Sequence, residues 1–224
     1  MRAMILAAGR GERMRPLTDY LPKPLLPVAG RALIEHHLHA LALAGVRTVV
    51  INYAWLGEKI EAQLGDGAQF GLQIHYSPEG NAALETAGGI RQALPWLAAE
   101  PFIVINGDVL TDFPVASLNS ALAEHKTAHL VLVPNPVQHP QGDFAVTQGN
   151  ACVDGAEKFT FSGIAVYQPE FFHDVPPGAQ KLAPFLRAAM QRGEVSAEVY
   201  TGYWADIGTP QRLAEADQFI RSRS

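Results

Sequence analysis

The sequence predicts an α/β fold around a mostly parallel sheet, and three features predict it. Strand-like and helix-like segments alternate from residue 2 to residue 106, the pattern of successive parallel crossovers. The strand segments are continuous apolar runs, such as M-I-L-A-A at 4–8 and F-I-V-I-N at 102–106. Strands covered on both faces look like this, whereas half-exposed strands alternate. Gly9 and Gly107-Asp108 directly follow two of these runs. Ligands of open parallel sheets bind beyond the carboxyl ends of strands, so both segments are expected to face one crevice.

Residues 2–8 form the first strand, stopped by Gly9. Residues 31–44 are a helix: Leu33, Ile34, Leu38, Leu41 and Ala42 share a stripe, and Gly45 ends it. Residues 47–52 are the second strand, 55–64 a helix and 72–76 the third strand. Residues 86–94 are helical until Pro95 interferes, and 102–106 are the fourth strand. Beyond residue 113 the alternation loosens. A helix is expected over 115–125, strands over 128–134, 143–148 and 159–167, and a helix over 181–191. Two short strands then end near Ala205-Asp206. Thr209 reads as the N-cap and Pro210 as the first residue of a last helix. The second half is read as an elaboration of one continuous sheet, so residues 1–224 form a single domain.

Composition narrows the function. With 48% apolar and 17% charged residues the chain is neither disordered nor fibrous, and it shows no internal repeat. The single cysteine, Cys152, has no internal disulfide partner. It is read as a small buried residue of a protein from a reducing compartment. No apolar stretch approaches the roughly 20 residues of a membrane span, and the run at 3–8 is too short for a signal sequence. A soluble, cytoplasmic protein is expected, as a monomer or homodimer. The formal net charge of −5 argues against nucleic acid or an anionic membrane as partner. Residues 1–31 nevertheless hold six arginines and lysines against two acids. A cationic loop on an acidic protein suits a small anionic ligand.

That loop is A-A-G-R-G-E-R-M-R-P-L-T at 7–18, followed by P-K-P at 22–24. It does not match the P-loop pattern G-x-x-x-x-G-K-[ST]. The dinucleotide pattern G-x-G-x-x-G fails at Met14, where the glycine that sets helix packing should stand. A phosphate-gripping loop fits better. Glycines let backbone N–H groups approach phosphate oxygens, and arginines present bidentate forks to them. Lys23 is stiffened by Pro22 and Pro24 into a well-placed point charge. The competing reading is a solvated turn with incidental charge.

The same stretch resembles the signature G-x-G-T-R-x-x-P-L-T with downstream P-K-P of the sugar-1-phosphate nucleotidyltransferases, with Glu12 where threonine is common. Three further segments match in order: A-L-E-T-A-G-G at 83–89, N-G-D at 106–108 and W-A-D-I-G-T-P at 204–210. The resemblance implies a Rossmann-like three-layer α/β/α nucleotide-diphospho-sugar transferase fold with a mixed, mostly parallel sheet. The half up to about residue 112 binds the nucleotide and the half from about 113 binds the sugar. It implies a reaction in which a sugar 1-phosphate attacks the α-phosphorus of a nucleoside triphosphate and pyrophosphate leaves. Such chemistry needs positioning and positive charge rather than a covalent nucleophile.

By the resemblance, Arg13, Lys23 and Asp108 are catalytic, and Asp108 and Asp206 hold Mg²⁺, a hard ion that takes oxygen ligands. Ala7, Ala8, Gly9, Gly11, Glu12, Arg13 and Lys23 meet the phosphates. Thr86, Ala87 and Gly88 lie beside the base and ribose, where Glu85 replaces the usual glycine, and Glu79 precedes them. Asn106, Gly142, Asp143, Glu157 and Ser162 are expected on the sugar side. Each of these residues also has a purely structural reading: turn or helix caps for the aspartates, an exposed turn for Glu79. No C-terminal β-helix domain is expected. The chain's length, L-E-T-A-G-G and T-F-S-G-I-A-V-Y look most similar to the family members of peptidoglycan recycling, a resemblance that implies UTP and N-acetylmuramate 1-phosphate as substrates. GTP with mannose 1-phosphate is the alternative. A non-catalytic nucleotide-sugar sensor is the alternative of another class, opposed by the retention of Arg13, Lys23, Asp108 and Asp206. His36, His37 and His39 lack metal-ligand spacing and are read as surface or dimer-contact residues.

Overall fold

Four parallel strands open the chain: β1 (Arg2–Leu6), then, after a hairpin of β2 (Pro27–Val28) and β3 (Arg31–Ala32) and helix α1 (Leu33–Leu43), β4 (Thr48–Tyr53); helix α2 (Gly57–Leu64) and β5 (Gln73–Pro78); helix α3 (Glu85–Leu97) and β6 (Phe102–Asn106). The computed structural model describes residues 1–80, 83–97 and 100–223. The chain continues through β7 (Val109–Thr111), β8 (Ala128–Val133), β9 (Ala145–Thr147), β10 (Asn150–Cys152), β11 (Thr160–Tyr167), helix α4 (Leu182–Gln191), β12 (Val195–Val199), β13 (Trp204–Asp206) and helix α5 (Pro210–Arg221). One sheet of nine strands runs β5-β4-β1-β6-β11-β8-β12-β10-β9. Strands β11 and β10 run against the rest, so the sheet is mixed and mostly parallel.

Alternate residues of the buried strands feed two separate cores. Ala3 and Ile5 of β1 join Leu38, Leu41, Ile60 and Leu64 from α1 and α2 on one face. Met4 joins Ala87, Ile90, Leu186 and Ala189 from α3 and α4 on the other. This three-layer arrangement is what the unbroken apolar strands require. A third cluster, built on Met14, Leu33, Leu110, Ile207 and Ala216, ties α5 to the N-terminal loop. Among the described residues no helix is long and apolar enough to cross a membrane.

Several elements differ from expectation. The helix expected over 115–125 is a 3-10 turn, Val115–Ser120, burying only Val115 and Leu118. That spacing of three suits a 3-10 turn, and the following residues bury no stripe that would sustain an α-helix. The helix expected from residue 31 begins at Leu33, because Arg31 and Ala32 belong to a hairpin turning at Ala29 and Gly30, both at positive φ. The strand expected over 143–148 is a second hairpin, β9–β10, turning at Gln148 and Gly149, again both at positive φ. Helix α3 passes through Pro95 and ends at Leu97. The short pairing of β7 with β13 lay outside the sequence reading.

The N-terminus of α3 is packed by backbone. Gln180 accepts the N–H groups of Ala87 and Gly88, at 2.9 and 3.2 Å, and its own N–H reaches Leu84. A Cβ on Gly88 would overlap the Gly178 carbonyl oxygen. Gly88→Ala is therefore expected to lower the unfolding free energy by about 2 kcal/mol, since backbone cannot rotate aside as a side chain can. A lower urea midpoint at unchanged m-value checks this.

Candidate active site

The strand order β5-β4-β1-β6 places later strands on both sides of β1, so β1 and β6 border a topological switch point. The loop after β1 folds over that point. Gly11 stands at φ 68°, and a Cβ there would press on Thr18 at 3.0 Å and on the Lys23 Cβ at 3.3 Å. The Gly11 carbonyl accepts from the Thr18 hydroxyl at 2.8 Å and from the Met14 N–H at 2.9 Å. Met14, the residue that breaks the dinucleotide pattern, is fully buried as the anchor of the third cluster. The loop is thus fastened from below, and its rim stays open.

A cleft of about 570 Å³ lies there. Ala7, Ala8, Gly9, Gly11, Glu12, Arg13 and Lys23 line one side, Glu79, Glu85 and Thr86 another, and Asn106 and Asp108 a third. Lys23 is buried, in a 3-10 turn between its prolines, and its Nζ lies 2.7 Å from Asp108 Oδ2. A second cavity of about 240 Å³ is lined by Gln138, His139, Thr160, Phe161, Ser162, Trp204 and Asp206. It shares Asn106 and Asp108 with the first. Gly163, at φ 79°, leaves the space that the Asn106 side chain fills.

The β7–β13 pairing brings the two aspartates together across nearly a hundred residues. Asp206 pairs with Val109, and the Ile207 N–H donates to the Asp108 carbonyl at 2.7 Å. Asp206 forms an ion pair with Arg212 and accepts from Gln138 Nε2 at 3.1 Å. Arg13 lies alongside: a Cβ at Gly208 would stand 3.0 Å from Asp206 Oδ2 and 3.3 Å from an Arg13 guanidinium nitrogen. Two carboxylates facing one cavity are a donor set that fits a hard divalent ion. Each is held by a cation, Lys23 or Arg212, that such an ion would share it with.

Other residues occupy different positions. Ala87 and Gly88 are buried, do not line the cleft, and have their N–H groups committed to Gln180. Glu79 is not an exposed turn residue: it is 9% exposed and braces three segments. Its Oε1 accepts from Asn52 Nδ2 at 2.6 Å, its Oε2 from the Leu84 N–H at 2.7 Å, and Asn52 in turn accepts from the Ala7 N–H at 2.9 Å. Glu85 holds positive φ, 57°, a conformation that favours glycine, and its exposed side chain lines the cleft.

On the sugar side, Gly142, Asp143 and Glu157 line neither cavity. Gly142 backs on Asn135 and Lys158, Glu157 is exposed, and Asp143 Oδ2 accepts the Phe161 N–H at 2.8 Å. Ser162 lines the second cavity, but its hydroxyl donates to the Val131 carbonyl at 2.6 Å and accepts the Ile164 N–H, holding the irregularity in β11.

The histidines differ from expectation. His37 is buried, not on the surface, and burial pushes its imidazole down to about 4. His36 Nε2 meets the Val28 carbonyl, and His39 packs edge-on to Phe70. Among the described residues no three His, Cys, Asp or Glu side chains cluster as a metal site. Asn52, Gln138 and Arg212 escaped the sequence reading, while His139 and Trp204 open two of the segments that carry the family resemblance. For Asn52 a signal existed: it is a polar residue closing an apolar strand, as Asn106 is.

A cationic, glycine-rich loop over the switch point of a mostly parallel sheet, opening onto a second pocket across a lysine–aspartate pair, defines a nucleotide-handling transferase site. The profile of the nucleotidyl transferase family matches residues 2–147, and the chain belongs to that family. It is 53% identical to the N-acetylmuramate alpha-1-phosphate uridylyltransferase of Neisseria meningitidis over 223 residues, covering 96% of each chain. It is 35% identical to the protein of the same name from Caulobacter vibrioides, covering 96% and 97%. Its fold is that of HddC from Yersinia pseudotuberculosis, solved in complex with GMP-PN, with a TM-score of 0.80 at 20% identity over 98% of this chain and 99% of that one.

Proposed function

We propose that the protein transfers uridylate from UTP to N-acetylmuramate 1-phosphate, releasing pyrophosphate, in the cytoplasm as a step of peptidoglycan recycling. One observation carries the reaction type: the two cavities meet at Asn106 and Asp108, with the Lys23 ammonium 2.7 Å from the Asp108 carboxylate. Two phosphorylated molecules bound in those cavities would bring their phosphates together there. The choice of base and sugar rests on the 53% identity to the Neisseria enzyme.

A phosphate oxygen of the sugar 1-phosphate attacks the α-phosphorus of UTP. The bond between the α-phosphorus and the bridging oxygen breaks, and pyrophosphate leaves with that oxygen. The barrier is repulsion between two polyanions, and the residues act on that barrier. Loop N–H groups and Arg13 hold the triphosphate, and Lys23 neutralises charge at the reacting phosphate. Asp108 and Asp206 would hold Mg²⁺, which when bound would supply positive charge to the reacting phosphates. Thr86 and Glu85 stand at the nucleoside end and Asn106 at the sugar hydroxyls.

Incubation with Mg²⁺, each common nucleoside triphosphate and a panel of sugar 1-phosphates, followed by pyrophosphate release, tests this. Fastest release with UTP and N-acetylmuramate 1-phosphate is expected. Preference for GTP with mannose 1-phosphate overturns the substrate assignment, and no release with any pair overturns the reaction.

A further inference from the structure

The second cavity carries a feature that its hydroxyl-binding role leaves unused. Two of its walls are acidic, Asp108 and Asp206, and His139 is its one basic lining side chain among the described residues. His139 does not stand free. Its Nε2 lies 3.1 Å from Asp143 Oδ1, and Asp143 is itself fixed by the Phe161 N–H at 2.8 Å on Oδ2. An ionised carboxylate only accepts, so Nε2–H donates to Asp143, and a second proton on the ring makes Nδ1 the donor that a second carboxylate needs. The segment bearing His139 is fastened at several points. The His139 N–H donates to the Pro136 carbonyl at 2.8 Å, and Asn135 donates to the Lys158 and Pro140 carbonyls and accepts from the Thr160 hydroxyl. Lys158 is turned to Asp154 and does not line the cavity, and Lys23 and Arg212 are engaged by Asp108 and Asp206.

This arrangement suits a sugar bearing a carboxylate. N-acetylmuramate differs from N-acetylglucosamine by a lactyl ether at O3 that ends in a carboxylate. In this cavity Lys23 and Arg212 are taken up by Asp108 and Asp206, which leaves His139 as the basic lining side chain that can turn to that group. We propose that His139, positioned by Asp143, binds the acid group of the sugar substrate and so selects an acidic sugar 1-phosphate over its neutral counterpart. The inference rests on the substrate assignment above and adds the residue that enforces it.

The test compares UTP-dependent kcat/KM for N-acetylmuramate 1-phosphate and N-acetylglucosamine 1-phosphate in the wild-type protein, His139→Ala and Asp143→Asn, with thermal unfolding of each. In His139→Ala the ratio of the two values is expected to fall about tenfold or more, the scale of one charge-assisted hydrogen bond, through KM for the acidic sugar. Asp143→Asn is expected to shift the ratio in the same direction by less, because the ring remains but is no longer held. Wild-type preference for the acidic sugar with a ratio unmoved in folded His139→Ala overturns the role of His139 alone. Wild-type protein that turns over only the neutral sugar overturns the substrate assignment, and this inference with it. If Asp143→Asn fails to fold, His139→Ala decides by itself, since His139 is half-exposed and bears no core packing.

Discussion

Lys23→Ala is expected to lower kcat/KM by more than tenfold, on the order of 10²-fold, while the protein stays folded. The two halves of that expectation have separate physical sources. The rate falls because the Lys23 ammonium is the cation nearest Asp108, at the junction of the two cavities, and no neighbouring basic side chain can take its place from between Pro22 and Pro24. The fold survives because the carboxylate left behind can be rehydrated: the Asp108 side chain is 42% exposed, against 9% for Lys23. The stranded charge and the lost packing of the lysine stem together cost about 1–2 kcal/mol. Lys23→Met separates the two terms. It keeps the stem and removes the charge, so it should match the alanine variant in rate and stand closer to wild type in unfolding midpoint. A rate within twofold of wild type in either folded variant would remove Lys23 from the phosphate-binding machinery.

The elements that form this site differ in how openly the sequence shows them. The crevice between β1 and β6 is legible because a strand buried on both faces must be apolar throughout, so a glycine or an aspartate at its end is conspicuous. Thr209 and Pro210 at the start of α5 are legible for a local reason as well: the Thr209 hydroxyl accepts the Arg212 N–H, a bond made within one turn of chain. The hairpins at Ala29-Gly30 and Gln148-Gly149 are muted, because alanine and glutamine hold positions where asparagine or aspartate would announce the turn. The second cavity is hidden for a deeper reason. Its walls come from residues 106–109, 136–139, 160–162 and 204–206, and the three-residue strands β7 and β13 that join the two aspartates are too short to show a period. Glu79 is a different case. Its place just after a strand is visible in the sequence, but its commitment to Asn52 and Leu84 depends on two segments that meet only in the folded chain.

Asp206→Asn is expected to lower kcat/KM by about 10²-fold or more and to raise the Mg²⁺ concentration needed for half-maximal rate. The substitution preserves shape. A neutral amide oxygen can still accept from Gln138 Nε2, and the pairing of residue 206 with Val109 is made by backbone. What disappears is one of two negative charges facing the second cavity, together with the ion pair to Arg212. Arg212 then lies unopposed beside the site, where it attracts phosphate but repels a divalent ion. The KM for UTP should therefore change less than the Mg²⁺ requirement does. Chelation of the wild-type protein should abolish pyrophosphate release and leave the unfolding midpoint in place, because the cores on both sheet faces are apolar and owe nothing to an ion. A chelator that unfolds the protein would make the metal structural. An Asp206→Asn variant with wild-type rate and wild-type Mg²⁺ dependence would reduce Asp206 to a partner of Arg212, with Asp108 holding the ion among phosphate and water oxygens.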